Sequence, residues 1–317
     1  MTTLITGAAG FIGSRLAAHL LHRGESIVIL DNLDPYYDVS IKRANLAMLG
    51  DGAVFIEGDV RDEALVQRVF KDHPIKRVAH LAAMAGVRYS IDNGRLYSDV
   101  NTSGSVTLMD ASRRHNVEVF VQASTSSVYG RTERIPFREE DSPDEPLAPY
   151  PASKRAAELF AHTYQHLFKL NVTILRLFNV YGPGGRPDMM PIKTIDAILN
   201  GKPIQVYGGG SLQRDWTYVD DCVAGIAAAL ERPMGYQIIN LGCGHPISLT
   251  DFIQIYEELI GKKAIIQDAP IPDSEPLITY CDNTRARELL GFDPKTPIEE
   301  GLRQTWEWYR QHYRIDG

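Results

Sequence analysis

Tyr150 and Lys154 stand four residues apart in YPASKRAAELF, downstream of a glycine-rich GAAGFIG that begins at Gly7. Residues at i and i+4 of a helix share a face, one turn apart. A phenol titrates at about 10 in water and is a poor base at neutral pH. An ammonium fixed one turn away favours the phenolate and lowers that value. A tyrosine tuned in this way takes the proton of a sugar or alcohol hydroxyl while a nicotinamide takes the hydride. A Tyr and a Lys on a solvated helix face share the same spacing, so the pair draws its meaning from the rest of the chain.

GAAGFIG follows the apolar run TLIT and opens an amphipathic stretch. Gly7, Gly10 and Gly13, with Phe11 and Ile12 between them, permit a tight turn and let backbone N–H groups at a helix start approach a pyrophosphate. The spacing is G-x-x-G-x-x-G rather than G-x-G-x-x-G. Asp31 ends the next β-branched run, 18 positions after Gly13, where a carboxylate accepts hydrogen bonds from an adenosine ribose. No basic residue follows it directly in DNLDPYYD, so a 2′-phosphate finds no countercharge there, and NAD is expected rather than NADP. Asn32 beside it, and Asp59 with Val60 in GDV, are placed to meet the adenosine.

The elements that must position these groups are legible as alternation. Candidate strands at Thr2–Thr6, Ser26–Asp31, Ala53–Gly58, Arg77–Leu81, Glu118–Ser124 and Asn171–Arg176 are separated by helical patterns at Phe11–Arg23, Glu63–Lys71, Tyr97–His115 and Tyr150–Phe168. Strands alternating with helices predict an α/β fold with a Rossmann-type doubly wound parallel sheet, its ligand crevice outside the carboxyl ends of the strands. After about Tyr181, Gly and Pro punctuate the chain (YGPGGRPDMMP, VYGGGSLQRDW) and the rhythm changes. The expected division is a cofactor-binding unit over 1–180 that carries the Tyr/Lys helix, and a smaller C-terminal α/β substrate-binding region over 181–317. Some segments of the second are expected to return to the first.

Composition narrows the class. The 317 residues are 44% hydrophobic and 23% charged, with a net charge of −7, as in a globular enzyme. That charge argues against nucleic acid as a partner. No run reaches the roughly 18 apolar residues of a membrane span, and MTTLITG runs directly into strand and turn, so a cytoplasmic location is expected. Cys222, Cys243 and Cys281 are scattered without metal spacing, and no metal site is expected.

GAAGFIG, GDV, HLAA (His80–Ala83), Asn101, STSSVYG (Ser124–Gly130), YPASK and RLFNVYGP (Arg176–Pro183) resemble, in order and spacing, the extended short-chain dehydrogenase/reductase superfamily and its nucleotide-sugar epimerases. The resemblance covers essentially the whole chain. DNLDPYYDVSIKRANL, AGVRYS, AHTYQHLFKL and GRPDMM make it most similar to the UDP-glucuronate 4-epimerases. The resemblance implies Thr125 as hydroxyl partner of a catalytic Tyr150–Lys154 pair. It implies Leu81, Ala82, Ala83 and Asn101 beside the cofactor, with Asn101 holding the active-site backbone. On the substrate side it implies Val87, Arg88, Ser126, Ser127, Asn179, Arg186, Gln205, Tyr207 and Arg214, with Arg214 of QRDW toward the UDP phosphates and Arg88 and Arg186 toward the nucleotide or the hexose carboxylate. Two positions depart from the glucuronate pattern: Asn179 stands where those enzymes have Thr, and Gly184 where they have Trp.

The activity implied is NAD-dependent 4-epimerisation of UDP-glucuronate through a 4-keto sugar. The alternatives are a 4-epimerase of a neutral UDP-hexose, a UDP-glucuronate decarboxylase and an NAD-binding protein without turnover. A 4,6-dehydratase resembles T-D-E-V-Y-G, and here Ser126 and Ser127 occupy the acid and base places. A homodimer is expected through the helices Tyr97–His115 and Tyr150–Phe168, with Val100, Val106, Leu108, Leu159 and Leu167 as its apolar face.

Overall fold

The structure, a computed structural model, describes residues 1–132, 134–141 and 145–315. Six of its strands are β1 (Thr2–Thr6), β2 (Ser26–Asp31), β3 (Ala53–Glu57), β4 (Ile75–His80), β5 (Val119–Thr125) and β6 (Val172–Leu177). With the strand Tyr236–Leu241 they form a seven-stranded parallel sheet in the order Tyr236–Leu241, β6, β5, β4, β1, β2, β3. The predicted strand ends agree to within one or two residues, the ordinary play in such boundaries.

Alternation along the strands feeds two apolar layers. Ile5, Ile27, Ile29, Ala79 and Val121 pack on one face with Leu16 and Leu20 of helix Phe11–His22 and Val223 and Ile226 of helix Val219–Leu230. Leu4, Val28, Val78, Phe120 and Ile174 pack on the other with Val66 and Phe70 of helix Glu63–Asp72, Leu108 of helix Gly104–Arg114 and Ala161 of helix Pro149–Phe168. A sheet covered on both faces requires near-continuous hydrophobic strands, which these are. Strand order reverses between β1 and β4, so the carboxyl ends of those two strands open a crevice.

The C-terminal half contributes Tyr236–Leu241, a strand not marked in the sequence, as the sheet edge beside β6. Two features differ from the sequence expectation. VSIKRANLAML forms a helix, Val39–Leu49, capped by the Asp38 carboxylate on the Ser40 N–H, that the periodicity does not mark. The expected helix Tyr97–His115 is interrupted by a π-helical segment, Ser98–Ser103, before Gly104–Arg114. A π turn adds one residue and rotates the downstream helix by about 100° around the axis. Leu108 is accordingly in the core, Val106 packs against it, and Val100 borders the cavity in the crevice. These three residues are therefore not an outer face. Leu159 and Leu167 are exposed, as are Phe160 and Phe168.

Beyond Tyr181 the described chain adds small ladders: Pro203–Tyr207 with Ile265–Ala269, and Gln213–Asp215 with Pro246–Ser248. No described helix is long and apolar enough to cross a membrane.

Candidate active site

A cavity of about 380 Å³ lies over the carboxyl ends of β1, β2, β4 and β5. Gly7 takes a φ of +74°, and a Cβ there would stand 2.6 Å from the Ala82 nitrogen. A Cβ at Gly13 would stand 2.4 Å from the Gly7 carbonyl oxygen. Only glycine allows the loop to fold this tightly against its own helix. That helix starts after Gly10 with no side-chain cap, and its first turn, Phe11 to Gly13, borders the cavity. The Asp31 carboxylate accepts from the Ala9 N–H at 3.0 Å and the Leu33 N–H at 2.9 Å, and still borders the cavity. Asn32 donates to Asp59 at 3.0 Å, and the Arg61 guanidinium paired with Asp59 helps hold that carboxyl down at about 2.

Tyr150 and Lys154 project from helix Pro149–Phe168 into the same cavity. Burial pushes the Tyr150 phenol up, while a hydrogen bond with Thr125 and the Arg186 charge draw it down. The Lys154 ammonium donates to the Ala123 carbonyl at 2.9 Å. Burial brings Lys154 to about 8, against the raising influence of Glu158. Glu158 in turn accepts from Ser124 at 2.6 Å and from Arg176 at 2.8 and 3.1 Å, in an ion pair only 0–1% exposed.

The predicted residues divide into three groups. Gly7, Gly10, Phe11, Ile12, Gly13, Asp31, Asn32, Asp59, Val60, Leu81, Ala82, Ala83, Thr125, Ser127, Tyr150, Lys154, Val87, Asn179 and Arg186 all border the cavity. Arg88, Gln205, Tyr207 and Arg214 form a second cluster around Glu275. Arg214 and Arg88 reach that carboxylate at 2.9 and 3.3 Å, Arg88 lies over the Tyr207 ring at 5.1 Å, and Tyr207 donates to Gln205 at 2.9 Å. Asn101 and Ser126 are buried and border neither. The Asn101 amide is consumed by the Met84 backbone, at 2.8 and 3.0 Å, and by Ser153 at 3.0 Å, so its place is behind the cofactor wall.

Sequence reasoning assigned no role to Tyr36, Tyr37, Lys42, Asp188 or Glu275. The first three border the cavity from the loop and helix after β2. Lys42 donates to the Asp34 carbonyl at 2.7 Å, and Asn45 donates to the Ala9 carbonyl at 2.9 Å, bracing the glycine loop. Their signal lay in DNLDPYYDVSIKRANL, whose helical nature was the missing step. Among the described residues no cluster of three or more metal-ligating side chains occurs.

A Tyr–Lys helix set against a Thr, at the carboxyl edge of a parallel sheet and beside a glycine-lined cleft, defines an enzyme of nucleotide-cofactor redox chemistry. A family model described as the NAD dependent epimerase/dehydratase family matches residues 3–242, and the chain belongs to that family. It is 41% identical over 315 residues to UDP-glucuronate 4-epimerase of Thermodesulfobacterium geofontis (strain OPF15), covering 98% of this chain and 97% of that one. Among solved structures it is similar to the UDP-glucuronic acid 4-epimerase of Bacillus cereus in complex with UDP-glucuronic acid and NAD, with a TM-score of 0.92 and 34% identity, covering 99% of this chain and 100% of the other. The UDP-glucose 4-epimerase of Thermotoga maritima with UDP-glucose gives 0.91 and 31%, with the same coverage. The residues present fit the family's cofactor. Gly7 and Gly13 leave the space a Cβ would fill, the uncapped helix start suits a pyrophosphate, and Asp31 keeps lone pairs for ribose hydroxyls.

Proposed function

We propose that the protein is an NAD-dependent 4-epimerase that interconverts UDP-glucuronate and UDP-galacturonate. The observation that carries this reading is one cavity bordered by Tyr150, Thr125, Ser127 and Arg186, in a chain similar over its whole length to UDP-glucuronate 4-epimerases. Tyr150, as phenolate, takes the proton of the sugar 4-hydroxyl, and Thr125 shares its hydrogen bond. Bound NAD supplies the hydride acceptor and donor at carbon 4. Lys154 holds the helix to β5 and would hold the nicotinamide ribose of the bound cofactor. The 4-keto sugar turns about its diphosphate so that carbon 4 would take hydride back on its opposite face, while Tyr150 returns its proton to oxygen 4. Such a general base contributes about 10²–10⁴-fold.

Arg186 is the candidate for the hexose carboxylate, with Ser127 and Asn179 beside it and Val87 at the rim. Arg88, Arg214, Gln205 and Tyr207 form the candidate seat of the nucleotide, where Glu275 pairs with both arginines. A 4-keto uronic acid is a β-keto acid and loses carbon dioxide readily, so the carboxylate must be held away from alignment with the ketone. Segments 1–180 and 181–317 divide the work between cofactor and sugar nucleotide, in a cytoplasmic homodimer.

Asn179, Gly184 and the likeness to the Thermotoga enzyme favour a second reading, a neutral UDP-hexose as substrate. The test is incubation of the protein with UDP-glucuronate, UDP-galactose and UDP-N-acetylglucosamine, with products read by NMR. UDP-galacturonate with little UDP-pentose is expected. A higher kcat/KM for either neutral sugar would replace the first reading by the second.

A further inference from the structure

Arg186 is the only arginine among the described residues bordering the catalytic cavity. Its Nε and Nη2 donate to the two oxygens of Asp188, at 2.9 and 3.0 Å, in a side-on bidentate pair. Asp188 does not border the cavity, whereas Arg186 and Tyr36 do. The Tyr36 hydroxyl donates to the same Asp188 oxygen as Nη2, at 3.2 Å, and the guanidinium carbon lies 6.0 Å from the Tyr36 ring centre. Asp188 is the one carboxylate paired with Arg186 among the described residues. One edge of the guanidinium is therefore occupied from behind, and its charge is largely balanced before any ligand arrives.

The required chemistry makes this arrangement consequential. If Arg186 faces the hexose carboxylate, as the proposed function has it, that carboxylate must be released and held again when the 4-keto sugar turns over. A hydrogen bond with an ionised donor or acceptor is about twice as strong as a neutral one. An unopposed, mostly buried guanidinium would fix one orientation of the sugar and slow the turn. A guanidinium already paired still offers N–H donors but grips less. Uniform tightening of the bound sugar lowers KM without raising kcat.

We propose that Asp188, fastened by Tyr36, is a positioning and specificity-determining residue that balances the charge Arg186 presents to the sugar carboxylate, so that an anionic hexose is recognised and yet free to turn. The inference rests on the uronate reading of the cavity. Asp188 touches neither substrate nor cofactor and acts through Arg186.

The test uses the full chain with Asp188→Asn. Dissociation constants for UDP-glucuronate and UDP-glucose are measured beside kcat and KM for the epimerisation. UDP-glucuronate should bind about tenfold tighter, the difference between a charge-assisted and a balanced contact, and its kcat should fall by a similar factor. Binding of UDP-glucose should be unchanged. The shift for UDP-glucuronate should vanish in an Arg186→Met background, since the coupling runs through that side chain. Equal shifts for both sugars, weaker binding of UDP-glucuronate, or an effect that survives Arg186→Met would overturn the proposal. Tyr36→Phe, which deletes one hydroxyl, should move the same ratio in the same direction by less, and serves if Asp188→Asn does not fold. Wild-type protein that fails to turn over UDP-glucuronate refutes the substrate reading instead, while the ratio of the two dissociation constants still reports on Asp188.

Discussion

Lys154 donates to the carbonyl of Ala123 across 2.9 Å, tying the catalytic helix to the end of β5 two residues before Thr125. The bond sets the spacing between Tyr150 and its hydroxyl partner, and it keeps a charge 3% exposed. Burial holds Lys154 at about 8, below its unfolded value of about 10.4. The folded protein therefore binds this proton less readily than the unfolded chain. The resulting penalty on stability is fully present below pH 8 and is relieved as pH rises toward 10.4. Lys154→Met should abolish turnover and yet leave the melting temperature at pH 7 equal or higher. A clear fall in melting temperature would show that the bond to Ala123 outweighs the desolvation.

Tyr150 is buried enough that its phenol stands above the ordinary value, with Arg186 opposing the shift. The phenolate fraction thus grows as pH rises, and kcat/KM should climb with pH up to and beyond about 10, the ordinary phenol value. Arg186→Met removes the opposing charge and should displace that rise to higher pH. Tyr150→Phe should lower kcat by about 10²-fold or more while sugar-nucleotide binding persists. Retention of a tenth of the wild-type rate would exclude the phenolate as base.

The division between what the sequence disclosed and what it withheld follows the reach of each contact. Gly7, Gly13 and Asp31 are legible because a local spacing serves a local geometry, a turn closing on its own helix. Thr125 is legible through a motif that runs directly off a strand. The acceptor of Lys154 is a main-chain oxygen, and every residue has one. Tyr36 and Asp188 meet across 152 positions, a pairing no period encodes. Leu108 was misplaced because a π turn at Ser98–Ser103 shifts the register of its helix, and no residue in SDVNTS announces such a turn. YQIINL was not marked as a strand because it lies among the Gly/Pro-spaced loops of the second half, yet its register beside β6 completes the parallel sheet.

The glycine loop is the most sharply testable part of the cofactor site. Gly13→Ala would place a methyl 2.4 Å from the Gly7 carbonyl and 2.7 Å from the Ala8 Cα, both main-chain atoms that cannot step aside singly. The loop must open, and the helix start that faces the pyrophosphate moves with it. NAD affinity by calorimetry should fall by about tenfold or more, a change of at least about 1.4 kcal/mol, with a lowered melting temperature. Wild-type affinity in this variant would mean that the cofactor is held elsewhere.

Behind the catalytic helix, Glu158 and Arg176 form a pair that neither solvent nor substrate reaches. Glu158 lies one turn beyond Lys154 and also takes the Ser124 hydroxyl, so it braces the same strand end from below. Removing Arg176 leaves the buried Glu158 carboxylate with only the Arg155 guanidinium, at 3.2 Å, as countercharge, and breaking a buried pair costs up to about 3–5 kcal/mol. Arg176→Met alone should therefore be strongly destabilised in chemical denaturation. Arg176→Met combined with Glu158→Leu should recover much of the loss, because well-packed apolar groups of similar volume replace an ion pair at little net cost. If the double variant were the less stable of the two, the pair would be contributing net stability.

The outer surface of helix Pro149–Phe168 carries Leu159, Phe160, Leu167 and Phe168, each between 44 and 60% exposed. Phe160 and Leu167 are seven positions apart, which places them on one stripe two turns apart. Arg113 of the neighbouring helix lies over the Phe168 ring at 4.4 Å, so the two helices present one continuous face. An exposed apolar stripe of this kind marks an interaction surface. Two copies related by a twofold axis would cover it as a four-helix bundle, each helix pair packing on its equivalent. Light scattering at micromolar concentration should give twice the 35.4 kDa chain mass for the wild type. Phe160→Glu together with Leu167→Glu should give the monomer, because like charges would face each other across the axis. A monomeric wild type, or a doubly charged variant that stays dimeric, would place the interface on another face.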